Sequence, residues 1–172
     1  TMERGGFNVI LGNPPYIRVQ ALREFAPLEV DFYKRFYASA SKGNYDIYVI
    51  FVEKALSILA KGGQLGMIMP HKFLHVDYGI PLREQLAKGK HLRRIVHFGE
   101  QQIFPNVTTY TALLFANKDP LPVSEFLMVK DLDAWRQHSS EVFDTIPGES
   151  LVDGKWLHLF SRGSQLLDFL AK

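Results

Sequence analysis

The chain has 172 residues, 47% hydrophobic and 22% charged, a balance that excludes a disordered tail, a collagen-like repeat and a simple coiled coil. With 20 Lys and Arg against 18 Asp and Glu the formal charge is +2, which neither demands nor excludes a nucleic-acid partner. The absence of cysteine excludes disulfides, thiolate zinc sites and a cysteine nucleophile, and no run approaches the roughly 18 apolar residues of a membrane span, so a cytoplasmic protein with no membrane partner is expected.

Phe7 to Leu11 is a short apolar run with β-branched members, read as a buried strand. Asn13-Pro14-Pro15-Tyr16 follows at once. Two prolines forbid continued ladder pairing and restrict the residue before them, so this is a stiff loop at the strand's C-terminal end. Residues 18 to 42 mix basic and aromatic side chains and predict irregular structure with short helices. Tyr45 to Ala60 carries Ile47, Ile50, Phe51, Ala55, Ile58 and Leu59 at helical spacing, with Asn44 as a candidate start cap and Gly62 as a candidate stop.

Gln64 to Pro70 reads as a second buried strand, Tyr78 to Lys88 as a helix with Pro81 in its first turn, and Leu92 to Phe98 and Tyr110 to Asn117 as two further strands. Strands alternating with helices predict an α/β fold with a mostly parallel sheet. The last two strands have no helical pattern between them, which predicts antiparallel pairing there. After Asp119-Pro120 the texture changes. Val123 to Val129 reads as one more strand, Asp131 to His138 as a short helix, 139 to 162 as turn-rich and Ser164 to Ala171 as a terminal helix. Two segments are expected: 1–119 as a catalytic part, and 120–172 as a connecting part.

The Asn-Pro-Pro-Tyr loop carries the chemistry. In open α/β sheets ligands sit beyond the carboxyl ends of the strands, where this loop lies. The Asn13 carboxamide oxygen and the Pro14 carbonyl can each accept a hydrogen bond, so together they could hold both hydrogens of an exocyclic amine. Tyr16 offers a flat face to an aromatic ring. The bland alternative is a proline-stiffened turn with a polar cap.

The run FNVILGNPPYI resembles the catalytic motif of adenine-specific DNA methyltransferases, in particular the amino-methyltransferase part of single-chain restriction–modification enzymes. KGGQLGMIMPHKFL, YGIPLREQL and GEQQIFPNVTTYTALLF are similar to the family's following segments, and the likeness covers roughly residues 6 to 118. The resemblance implies a partial Rossmann-like methyltransferase fold with an antiparallel final strand. It implies S-adenosylmethionine as methyl donor and double-stranded DNA as partner. It also implies Asn13, Pro14 and Tyr16 as catalytic residues, with Pro15 and Phe104 lining the base-binding side. The bland alternative for Phe104 is a core aromatic beside the last strands. The NPPY motif is shared with protein-glutamine and RNA methyltransferases, and a non-catalytic DNA-binding module that kept the loop is a third reading.

An adenine amine is a poor nucleophile because its lone pair is delocalised into the ring. Accepting both hydrogens would localise that pair as the new bond forms, which is stabilisation of developing charge and not general-base catalysis. The target base must leave the duplex stack, and Tyr16 and Phe104 would replace the lost stacking at about 1–3 kcal/mol per base.

Other features weigh less. Lys61-Gly62-Gly63 precedes a strand and follows a helix, the reverse of a nucleotide fingerprint, and is read as a helix stop with a tight turn. His71 and His75 lack a third ligand, so no metal is expected. Arg83, Lys88, Lys90, His91, Arg93 and Arg94 form a basic cluster, read as a solvated surface or a phosphate-contacting edge. Asp46 and Glu53 read as surface or cap groups, and Tyr48 and Phe51 as core or cofactor-side groups. The donor-holding elements of the resembled family lie upstream of NPPY. Only twelve residues precede Asn13, whereas a βαβ unit takes about thirty. The missing N-terminal part of the same polypeptide is therefore an expected partner, the cofactor-binding residues are unassigned, the chain alone is expected to be inactive, and the edge near residues 7 to 11 is expected to self-associate.

Overall fold

A computed structural model describes residues 5–104, 109–137, 142–151 and 154–160. Its centre is one six-stranded sheet in the order β1-β2-β4-β3-β5-β6. The strands are β1 (Phe7–Gly12), β2 (Leu59–Pro70), β3 (Leu92–His97), β4 (Thr111–Asn117), β5 (Val123–Met128) and β6 (Asp144–Pro147). β1 and β2 pair in parallel, as do β3 and β5. β4 pairs antiparallel with both β2 and β3, and β6 antiparallel with β5. Four of the six strands thus share one direction, and β4 and β6 run against them. The fold is mixed α/β and Rossmann-like, and β3 and β4 pair antiparallel as the missing intervening helix predicts.

Five helices accompany the sheet: α1 (Val19–Phe25), α2 (Pro27–Phe36), α3 (Tyr48–Ile58), α4 (Ile80–Lys88) and α5 (Leu132–Arg136). The main core lies on one face of the sheet, where Tyr48, Val52 and Leu56 of α3 and Leu82 and Leu86 of α4 meet Leu65, Met69, Ile95 and Leu114. Alternation along β4 sends Ala112, Leu114 and Ala116 into that core and Leu113 and Phe115 to the other face. There a smaller cluster forms around Val96, Phe98, Leu127 and Val129, with Trp135 edge-on to Phe98 at 5.1 Å.

Several boundaries differ from the sequence reading. α3 begins at Tyr48; Ile47 is its N-cap residue and no side chain caps it, so Asn44 has no capping role. It ends at Ile58, and the chain enters β2 directly. Lys61-Gly62-Gly63 is neither helix stop nor hairpin turn but an irregularity inside β2. Phe7 pairs with Leu59, yet Val9 pairs with Gln64, so extra residues bulge out of the ladder there. Gly62 takes φ +73°, and a Cβ at Gly63 would come within 2.7 Å of the Phe7 carbonyl oxygen, so both positions need glycine.

β1 is an edge strand, as expected, but it is not buried. Val9 is 60% and Leu11 77% exposed. Leaving each in water forgoes roughly 2 kcal/mol relative to burial. The apolar run set the strand's type; what covers it is a tertiary matter on which the run is silent. Phe51, expected in the core or on the cofactor side, is exposed and so not a core residue, whereas Tyr48 is fully buried.

Beyond residue 119 the sheet continues into β5 and β6. Asp131 caps α5 by accepting from the Asp133 and Ala134 amides. The expected terminal helix, His138, and part of the turn-rich stretch lie outside the described residues. Among the described residues no helix is long and apolar enough to cross a membrane.

Candidate functional site

β1, β2 and β3 point the same way, so the segments that follow them share one edge of the sheet. These are the Asn13–Tyr16 loop, His71 to Leu74, and Phe98 to Phe104. β4 runs against them and therefore starts at the same edge, at Tyr110 and Thr111.

The loop is fixed on three sides. Gly12 ends β1 opposite Met67. The Tyr16 hydroxyl donates to the Ile68 carbonyl at 3.1 Å, which leans the ring across the end of β2. Burial raises the Tyr16 pKa, so the phenol stays protonated and keeps that bond. Beyond it, the Val19 amide donates to the Tyr45 carbonyl and the Ile47 amide to the Ile17 carbonyl, each at 2.9 Å. Pro14 is buried, while Asn13 and Pro15 are exposed. The Asn13 carboxamide is exposed and makes no hydrogen bond to another described residue, so it is chemically uncommitted.

Phe104 is half-buried on the segment after β3, at the same edge as that corner. Residues 105–108 lie outside the described residues.

A ring stack missed at the sequence level fills the ground between. His71 lies 4.4 Å from His97, with their planes 15° apart, and 5.9 Å from Tyr110. The His71 amide donates to the Tyr110 carbonyl at 3.1 Å, and His97 Nδ1 accepts from the Gly99 amide at 2.8 Å. Both ends of the 98–110 segment are thereby tied to the end of β2. Burial, then the neighbouring His75 and Lys72 charges, lower the His71 pKa to about 4; burial, then the neighbouring histidines, lower that of His97 to about 3. Both rings are therefore neutral at pH 7. The sequence paired His71 with His75, but those rings meet at 63° and 5.9 Å. A signal for His97 was present, since it closes the apolar run Leu92 to Phe98.

Asp46 is 8% exposed and accepts from the Tyr78 hydroxyl at 3.0 Å, and Tyr78 in turn meets the Tyr48 hydroxyl at 3.0 Å. Asp46 is thus a buried network member and not a surface group. Glu53 does act as a cap, accepting from the Ala38 and Ser39 amides at 3.0 and 2.8 Å.

The basic cluster read along residues 83 to 94 is dispersed. Arg83 is 1% exposed and donates to the Gly154, Val76 and Phe73 carbonyls. Lys88 pairs with Glu84 and Arg94 with Glu125. Arg93 and Arg94 lie at the start of β3, the opposite edge of the sheet from the Asn13–Tyr16 loop.

The glycine pair on β2 does not form a methyl-donor loop. The glycine pair Gly62–Gly63 is locked in the β2 bulge, away from the loop edge, and its two close neighbours are backbone carbonyls.

The sequence profile of the Eco57I restriction-modification methylase family matches residues 1–104. The type II restriction enzyme and methyltransferase RM.Eco57I of Escherichia coli is 38% identical over 178 residues, which is 96% of this chain and 18% of that protein. The type II methyltransferase M.PaeR7I of Pseudomonas aeruginosa is 32% identical over 67% of this chain and 20% of its own length. The chain therefore spans about a fifth of the length of these curated relatives. In fold it is similar to the type IIG restriction endonuclease BpuSI, at a TM-score of 0.67 and 19% identity, covering 98% of this chain and 23% of that one.

Proposed function

The chain belongs to the Eco57I restriction-modification methylase family, and from that premise we propose that it carries the target-base side of a DNA adenine methyltransferase site. The observation that supports this most directly is the exposed, uncommitted Asn13 carboxamide next to Pro14 and the anchored Tyr16 ring. The Asn13 carboxamide oxygen and the Pro14 carbonyl each accept one hydrogen of the adenine amine. That localises the nitrogen lone pair toward the methyl carbon, whose bond to the donor sulfur breaks as the new bond forms, and stabilises the positive charge on nitrogen until its surplus proton passes to water. Asn13 has no basic group at neutral pH, so its part is orientation and polarisation. Pro15 stiffens the corner, Tyr16 supplies one stacking face and Phe104 the other, which compensates the cost of extruding the base from double-stranded DNA.

The methyl donor is S-adenosylmethionine, held by residues that this chain does not supply. The isolated 172 residues are expected to be inactive, with residues 1–119 forming the catalytic part and 120–172 the connection toward a DNA-recognition region. The protein-glutamine reading shares the amine-gripping corner but has no use for a second flat face at Phe104; the RNA reading would use both, and the nucleic acid that receives the methyl group separates it.

The test is transfer of labelled methyl groups to duplex DNA by a polypeptide that includes this chain and its natural N-terminal part. Label on the adenine amine supports the reading. Label on protein glutamine or RNA, or none with donor bound, overturns it.

A further inference from the structure

A cavity of about 310 Å³ opens beside the loop, between the strap that follows Tyr16 and the segment that follows β2. Arg18, Gln20, Asn44, Lys72 and His75 line it, with Asp46 as the one acid among its lining residues. Arg18 stands two residues beyond Tyr16, and Lys72 two beyond the end of β2. The cavity therefore sits at the same edge of the sheet as the amine-gripping corner.

The charge inventory points to an anion. Among the described residues neither Arg18 nor Lys72 has a carboxylate within 4 Å, so an ion pair neutralises neither charge. Burial, then the nearby Lys155, Arg83 and Lys72 charges, lower the His75 pKa, so three cations stand on this side of the cavity. Asp46 is already committed to the Tyr78 hydroxyl. Gln20 and Asn44 add neutral donors, and His75 Nδ1 is buried without a hydrogen-bond partner.

The lining is also held in place. Buried Arg83 ties down the Phe73 and Val76 carbonyls on one side. On the other, Arg18 bridges Asp46 through the backbone. The backbone that carries Arg18 and Lys72 is thereby fixed, so binding an anion orders their side chains alone. The space exceeds a single phosphate and suits a phosphodiester with its attached sugar, while the polar walls disfavour an apolar ligand.

We propose that this cavity binds a backbone phosphodiester of the DNA strand that carries the target base, with Arg18 and Lys72 as its charged ligands. The inference rests on the reading of the loop edge as a DNA methyltransferase site. It adds a specific anchor that sets the register of the strand against Asn13.

The test uses the full-length enzyme and a fluorescein-labelled duplex that it methylates, with affinity measured by anisotropy across a potassium chloride series. Arg18→Gln and Lys72→Gln should each weaken binding roughly tenfold at low salt and reduce the slope of log affinity against log salt by about 1. Lys72→Arg should restore the slope. In a second arm, neutral methylphosphonate linkages are placed one at a time beside the target adenine. At one linkage the difference between wild type and Lys72→Gln should vanish. Unchanged slopes in both Gln variants, with the duplex still bound and methylated, overturn this inference alone. So does a difference that survives at every linkage. If the wild-type enzyme neither binds nor methylates any duplex, the underlying functional reading fails with it.

Discussion

His71 and His97 stack face to face with ring centroids 4.4 Å apart, although 26 residues separate them in sequence. The contact exists because β4 separates β2 from β3 and leaves a ring-sized gap above its own start. Two neutral imidazoles fill that gap where two charged ones could not.

The stack predicts a pH dependence of stability. The unfolded chain protonates these rings near 6.5, whereas in the fold they resist protonation until about pH 4 and about pH 3. Below pH 6.5 the unfolded state binds more protons, so the stability contributed by the stack is complete above 6.5 and is lost as pH falls toward about 3. Thermal midpoints measured from pH 7 downward should show this decline in wild type and a shallower one in His71→Phe, which keeps a ring and removes the titration. Superimposable curves would refute the assignment.

Arg83 predicts a large stability effect at a position that resembles a surface residue. Arg83→Met removes the donor from three carbonyls and should destabilise the chain by roughly 3 kcal/mol in urea unfolding. Gly79→Ala should act on the same joint, because a Cβ there would lie 2.2 Å from the Phe73 carbonyl oxygen. A shift within about 0.5 kcal/mol for Arg83→Met, the usual range for surface changes, would show that the joint carries little.

At the loop, ring and hydroxyl of Tyr16 can be separated. Tyr16→Phe keeps the stacking face and loses the bond to Ile68, so it should cost about 1 kcal/mol of stability and leave most methyl transfer in the complete enzyme. Tyr16→Ala should lose both. Asn13→Ala should abolish transfer while duplex affinity, followed by anisotropy, stays near wild type. Retained turnover would remove Asn13 from the proposed role.

Phe104→Ala should weaken capture of the extruded base, read as reduced 2-aminopurine fluorescence change at the target position in the complete enzyme. An unchanged signal with a lowered thermal midpoint would instead mark Phe104 as a packing residue.

β1 predicts association of the 172-residue chain. Its lateral edge is unpaired within the described sheet, and Val9 and Leu11 are exposed. Sedimentation velocity should show concentration-dependent oligomers that Val9→Lys with Leu11→Lys reduces. A monomer at all concentrations would rule out the edge as a sticky surface.

The strands were legible from short apolar runs and from alternation: Gln64 to Pro70 lies within β2, and Leu92 to Phe98, read from its alternation, overruns β3 by one residue. The corner at Asn13 was legible because Pro14 and Pro15 act locally, whatever the rest of the chain does. Three features were not. The bulge at Gly62 and Gly63 looks like a stop, since glycine permits either and the parallel partner decides. Arg83 looks like one of a basic group, since its burial depends on carbonyls supplied by residues 73, 76 and 154. The His71–His97 contact has no local pattern, because strand order and not spacing brings the rings together.

The placement of β4 carries one more consequence. It is the last made of the first four strands, yet it is the tie between β2 and β3. Without Thr111 to Asn117 the ladder breaks into a β1–β2 pair and a separate β3, held to each other by side chains and the helices alone. The edge that carries the Asn13–Tyr16 loop is therefore continuous in backbone hydrogen bonds with the end of β3 only through a strand that comes later in the sequence than both.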